Sequence, residues 1–125
     1  MVYNVMAYLE NAALHHRNRI AIADGQTALT YGQLQEQAYR IGTALSNRFS
    51  SACHKPVFVC ISRSVESVSA FFGVAASGNF YVPIDPSLPD HRLADIYAIM
   101  KPQVVITTRP NTRSLPFPGV EIVSM

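Results

Sequence analysis

Five consecutive apolar residues, Val57-Phe58-Val59-Cys60-Ile61, constrain this chain more than any other feature. A half-buried strand alternates apolar and polar residues, whereas a run that is apolar throughout suits a strand covered on both faces, as in a parallel sheet. Parallel strands need crossover connections of a dozen or more residues. The sequence supplies them: a helical pattern from about Val65 to Ser77 follows this run, and Gly78 is placed to end that helix in a left-handed conformation. Phe80 to Ile84 reads as the next strand, Asp90 and its neighbours open a helix with a Leu93, Ile96, Tyr97 and Met100 stripe, and Val104 to Ile106 is again a buried strand type. Strands alternating with helices at this pitch predict an α/β fold, a mainly parallel sheet flanked by helices.

The segments before and after this core are punctuated by local signals. Asn4 can cap a first helix carrying Val5, Met6, Leu9, Ala13 and Leu14 at helical spacing. Ile20 to Ala23, Asp24-Gly25 and Gln26 to Leu29 read as a hairpin. Thr30 and Gln33 form a capping box in front of a helix whose Leu34, Ala38, Ile41 and Leu45 share one face, with Gln35, Glu36, Arg40 and Asn47 on the other. Residues 109–119 hold three prolines and read as a loop before a last strand, Val120 to Val123.

With 125 residues, 49% apolar and only 14% charged, the chain has material for one compact domain spanning 1–125. A formal charge of +2 without a basic run excludes an electrostatic footprint for nucleic acid or an anionic membrane. The stretch from Ser67 to Ile84 lacks charge but contains three serines, Gly78, Asn79 and Pro83, which argues against a membrane span. The N-terminal residues lack a basic n-region and cleavage pattern, and Cys53 and Cys60 make neither a disulfide framework nor a zinc site, so a reducing, cytoplasmic setting is expected.

Candidate chemistry is sparse. The six glycines, at 25, 32, 42, 73, 78 and 119, draw no phosphate-binding pattern. No serine stands in a nucleophile elbow, Cys60 lies inside an apolar strand, and His15, His16, His54 and His91 have no metal-ligand spacing. Asp24 and Asp85 follow strands, where ligands of open α/β sheets bind, yet turn formation accounts for both. Arg63 and Arg92 could hold an anion, surface ion pairing being the commoner use. No catalytic, cofactor-binding or metal residue is therefore assigned.

Two segments resemble a known family. Leu29-Thr30-Tyr31-Gly32-Gln33-Leu34 is similar to the first core motif of nonribosomal peptide synthetase adenylation domains, with Gln33 where the family has Glu. Gly78-Asn79-Phe80-Tyr81-Val82-Pro83-Ile84-Asp85-Pro86 resembles their second core motif, departing at Phe80 and at the preceding Ala76, where Ala and Lys are usual. Arg63-Ser64-Val65-Glu66 and Pro89 with Arg92 resemble the flanking sequence. The likeness covers about residues 3–108 and points to the wider superfamily of adenylate-forming enzymes, its amino-acid-activating members above all.

The resemblance implies an incomplete piece of the large N-terminal domain of such enzymes, whose full-length forms use ATP and magnesium. Their phosphate loop, substrate pocket, ribose-binding aspartate and catalytic lysine belong to segments with no counterpart before Met125. The motif residues Leu29, Thr30, Tyr31, Leu34, Gly78, Tyr81, Val82, Pro83, Ile84, Asp85 and Pro86 are then structural. The expectation is a truncated scaffold, inactive alone and binding no cofactor itself, whose partner is the remainder of the domain or, through exposed apolar surface, a second copy. The alternatives are a non-catalytic interaction module, one half of a split enzyme, or an unrelated flavodoxin- or receiver-like domain.

Overall fold

The computed structural model describes residues 5–49, 54–108, 115–118 and 121–124. Helix α1 (Val5–His16) leads into a hairpin of β1 (Ile20–Ala23) and β2 (Ala28–Thr30), then α2 (Tyr31–Phe49). The remainder alternates: β3 (Pro56–Cys60), α3 (Val65–Ala76), β4 (Phe80–Pro83), α4 (Asp90–Met100), β5 (Val104–Thr107) and β6 (Glu121–Ser124). Boundaries differ from the sequence expectation by one residue at several ends: Ile61 and Ile84 lie just past their strands, and Thr107 extends β5. The expected Asn4 cap, Cys53 and most of the 109–119 loop lie outside the described residues.

The main sheet has the order β4-β3-β5-β6 with every pairing parallel, and the hairpin forms a separate antiparallel pair. The uniformly apolar β3 is central, and Val57, Phe58, Val59 and Cys60 are all buried. Its side chains divide between two cores. Val57 and Val59 join Leu45, Ala70, Val74, Val104 and Ile106 under α2 and α3, while Phe58 and Cys60 join Leu93, Val105, Ile84 and Phe117 under α4. Right-handed crossovers explain the layering. The step from β3 to β4 and the step from β4 back across β3 to β5 run in opposite directions, so α3 and α4 must lie on opposite faces.

A third cluster seats α1 and the hairpin on the outer side of α2 and α3 through Met6, Leu9, Leu29, Leu34, Ala38, Val65 and Ala75. Close approach of α2 to α3 depends on two glycines. A Cβ on Gly42 would lie 2.9 Å from Ala76 Cβ, and one on Gly73 would lie 2.4 Å from Ile41 Cβ. Ala76, the position where the resembled family carries Lys, is thus packed against the bare backbone of α2.

The termini of the elements follow local chemistry. Thr30 Oγ1 accepts from the Gln33 amide at 3.2 Å and Gln33 Oε1 accepts from the Thr30 amide at 2.9 Å, so the expected capping box is present. Ser64 and Ser67 make a second box at α3, and Gly78, at φ +82°, follows its end in the left-handed region. Pro83 suits an edge strand. The Phe80 and Ile84 amides donate inward to Lys55 and Val59 carbonyls, so period-2 alternation turns the missing donor of Pro83 outward.

Candidate functional site

Because the loop leaving β3 turns toward α3 and the loop leaving β4 turns toward α4 on the other face, the strand ends part there. Such a topological switch point is where open α/β sheets hold ligands. A crevice of about 610 Å³ occupies the place, lined by Ile61, Ser62 and Arg63 after β3, Ser67, Val68 and Phe71 of α3, and Pro83, Ile84, Asp85 and Pro86 of the second motif. Its walls are mainly apolar, and Arg63 and Asp85 put one charge of each sign on the rim.

Asp85, Ser64 and Ser67 around this crevice are committed to the framework. Asp85 Oδ1 accepts from the Ser87 hydroxyl at 2.7 Å and from the Ser87 amide at 2.9 Å, and these bonds, the hydroxyl's first, hold its carboxyl below the usual carboxylate range. The buried Ser67 hydroxyl donates to the Ser64 carbonyl at 2.8 Å, and Ser64 Oγ donates to the Ser62 carbonyl at 2.9 Å. The crevice has neither a nucleophile–base pair nor a cluster of ligating groups. Among the described residues no group of three or more His, Cys, Asp and Glu is placed to hold a metal.

The two motifs are not brought to one site. Leu29 and Leu34 are buried in the cluster beneath α1, with Thr30 spent on the cap and Tyr31 packed beside them. In the second motif Tyr81 stacks on Phe71 with ring centroids 4.6 Å apart, Val82 and Ile84 face the α4 core, and Pro83, Asp85 and Pro86 line the crevice. Surface pairing does not explain Arg63 and Arg92: the described ion pairs are Arg17–Glu36 and Arg48–Glu121, and neither arginine takes part. Among the described residues no helix is long and apolar enough to cross a membrane.

Three working residues were not evident from sequence. Asp24 was expected to serve its own turn, and its Oδ1 does accept from the Gln26 and Thr27 amides at 3.0 and 2.9 Å. Its Oδ2 also accepts from the Val65 amide at 3.0 Å, tying the hairpin to the first turn of α3 beside the crevice. The Val65 bond is the foremost cause of the lowered Asp24 pKa, followed by those from Thr27 and Gln26. Buried Asn79 accepts from the Lys55 amide at 2.9 Å and so fixes the entry to β3. Buried Thr107 donates to the Cys60 carbonyl at 3.0 Å, tying the end of β5 to that of β3. Only the polar residue after an apolar run could have signalled Thr107.

Comparison with known proteins bears on this framework. A family described as AMP-binding enzyme matches residues 9–123. A D-alanine–D-alanyl carrier protein ligase of Lacticaseibacillus casei is 27% identical over 123 residues, covering 98% of this chain and 24% of the ligase. A polyketide–nonribosomal peptide hybrid synthetase of Aspergillus candidus is 39% identical over 98 residues, covering 78% of this chain and 4% of that protein. Among solved structures, the nonribosomal peptide synthetase FmoA3 superposes with a TM-score of 0.90 at 26% identity, over 98% of this chain and 13% of that one. An anthranilate CoA ligase solved with anthranoyl-AMP gives 0.86 at 25% identity, over 98% of this chain and 25% of that one. The chain thus spans about a quarter or less of these relatives.

Proposed function

The chain belongs to the AMP-binding enzyme family, and from that membership we propose that it is the N-terminal scaffold of a unit that activates an amino acid or related carboxylate with ATP. In that reaction a carboxylate oxygen bonds to the α-phosphorus, the bond from that phosphorus to the bridging oxygen breaks, and pyrophosphate leaves, giving the acyl adenylate. The observation that carries the reading is the second motif. Its residues form the β4 edge and the turn lining the switch-point crevice, where Asp85 is held by Ser87 and directed to fold the chain.

The 125-residue chain by itself does not carry out this reaction. In-line attack at phosphorus needs preorganised positive charge or amide donors against the charge developing on phosphate oxygens, and losing one such donor typically costs about 10² to 10³ in rate. Around the crevice Arg63 is the sole cation among the lining residues. Magnesium in nucleotide sites is held by one or two carboxylates together with the substrate's phosphates; Asp85, the carboxylate lining the crevice, is engaged by Ser87, and no step is assigned to the metal here.

Two assays test the reading. Exchange of labelled pyrophosphate into ATP, with the twenty amino acids and aryl acids offered in pools, should be at background for the chain alone. Calorimetric titration with ATP and magnesium should show no heat of binding. A polypeptide supplying the remaining part of an adenylation domain should restore exchange on mixing, and restoration would identify the chain as one half of a split enzyme. Turnover by the purified chain alone would refute the scaffold reading.

A further inference from the structure

Asp24-Gly25 is a pair at which an aspartate can rearrange with water as the only other reactant. Gly25 has no side chain to hinder attack by its own amide nitrogen on the Asp24 carboxyl. It stands at φ +87° in open space, where even an added Cβ would meet nothing within 4 Å. Residues 23–28 are exposed, so water reaches the turn. Among the described residues no hydrogen bond engages the Gly25 amide. The carboxyl, by contrast, is fully occupied: Oδ1 accepts from the Gln26 and Thr27 amides, and Oδ2 from the Val65 amide 41 residues on.

We propose that Asp24-Gly25 is a latent isomerisation site, guarded in the folded chain by the Val65 amide, and that conversion to isoaspartate unlatches the hairpin from α3. The Gly25 nitrogen bonds to Asp24 Cγ. One carboxyl oxygen with its proton, together with the proton of the nitrogen, leaves as water, and a succinimide ring remains. Hydrolysis returns the water at either ring carbonyl, giving aspartate again or isoaspartate, in which the backbone runs through the former side chain. Only the neutral carboxyl can release its oxygen as water. The bonds from Val65, Thr27 and Gln26 hold the carboxyl below its usual range and so keep it ionised. They also fix the side-chain rotation that ring closure needs free.

Isomerisation acts on the framework beside the crevice. In isoaspartate the chain gains one backbone carbon and the free carboxylate stands directly on Cα, so the geometry that served three amides is lost. Val65 opens α3, and a cavity of about 390 Å³ between hairpin and helix is lined by Ile22, Asp24, Arg63, Val65 and Val68 among others. Arg63 and Val68 line the switch-point crevice as well. Loss of the tie therefore loosens the wall that the two cavities share.

The test ages the folded 125-residue chain beside a synthetic peptide of residues 20–30 at neutral pH. Isoaspartate is counted by peptide mapping, because an endoprotease that cuts before aspartate leaves it intact at unchanged mass. The peptide should convert about tenfold or more faster than the folded chain. Val65→Pro removes the donor alone, since proline is favoured at the first helical position and Ser64 before it is already extended. Folded Val65→Pro should convert several-fold faster than the parent. Adding Gly25→Asn, which tolerates the left-handed turn, should bring the rate back to the parent's or below. Parent chain aged in urea and refolded supplies isomerised material without a variant, and in it hydrogen exchange of the Val65 amide should quicken. A folded parent that converts as fast as the peptide, a folded Val65→Pro no faster than the parent, or a Val65 amide equally protected after isomerisation would each overturn the proposal.

Discussion

Replacing Gly73 by Ala should destabilise the fold by about 2 kcal/mol, although the same change in an ordinary helix stabilises it. The added Cβ would lie 2.4 Å from both Cβ and Cγ2 of Ile41. Carbon atoms in good contact sit about 3.5–4.0 Å apart, so α2 and α3 must separate by more than about 1 Å. A rotamer change cannot relieve the clash, because Ile41 Cβ is fixed to the α2 backbone. Overpacking of this kind costs typically about 1–3 kcal/mol, and a backbone-fixed clash belongs at the upper end. Helix propensity returns about 1 kcal/mol on going from Gly to Ala. The net, about 2 kcal/mol, corresponds to a melting temperature lower by about 8 °C for a chain of this length. Urea titration followed by circular dichroism, at one fixed protein concentration, measures it. The stronger check moves the glycine to the other helix. Ile41→Gly costs stability alone, yet with Gly73→Ala the bare backbone has only changed sides, so the double variant should be better than the sum of the singles by about 2 kcal/mol. A Gly73→Ala protein as stable as its parent, or single effects that add within about 0.5 kcal/mol, would refute the close-approach reasoning.

Asp24→Asn should flatten the acid limb of the stability curve. The carboxyl is held below its ordinary range by the amide of Val65 first, then by those of Thr27 and Gln26. Its contribution is therefore complete above the ordinary carboxylate range and is lost as pH falls through the lower folded value; equal acid slopes for variant and parent would count against the link. Thr30→Ala should cost about 1 kcal/mol in urea titration and Gln33→Ala less, with the double variant below their sum because the two bonds close one box. Asn79→Ala removes the acceptor of the Lys55 amide in a part-buried hydrogen bond and should cost about 1 kcal/mol in the same titration, whereas an unchanged midpoint would show that water replaces it.

What could be read from sequence is what the chain decides within a few residues. The hairpin at Asp24-Gly25, the Thr30–Gln33 box and the left-handed Gly78 each depend on neighbours up to three positions away, and all three are present. The burial of β3 on both faces was equally legible, because no polar side chain interrupts it. Pairings set by tertiary packing were not. Nothing near Asp24 in the sequence announces a bond to an amide 41 residues on. Gly42 and Gly73 look like scattered glycines until α2 and α3 are laid together. The crevice was legible only in part: Asp85 and Arg63 could be placed at strand ends, but the wall from Phe71 and Val68 depends on which face α3 takes.

That dependence separates two properties of the molecule. The crevice lies between the ends of β3 and β4, beside the edge finished by Pro83, while β6 stands two strands beyond β3 in the order β4-β3-β5-β6, with no further strand beside it among the described residues. At about 4.8 Å per strand, β6 is about 10 Å from β3 along the sheet. Chain added at β6 therefore extends the framework without filling the crevice, and whatever closes over the crevice must come across the strand ends. The bonds that fix the crevice walls, from Asp24 to Val65 and from Ser87 to Asp85, involve no residue of β5 or β6. Ile122→Pro, which removes an outward amide donor from β6, should accordingly leave the acid slope governed by Asp24 unchanged. A variant that shifted this slope would show that the sheet transmits strain from β6 to the switch point.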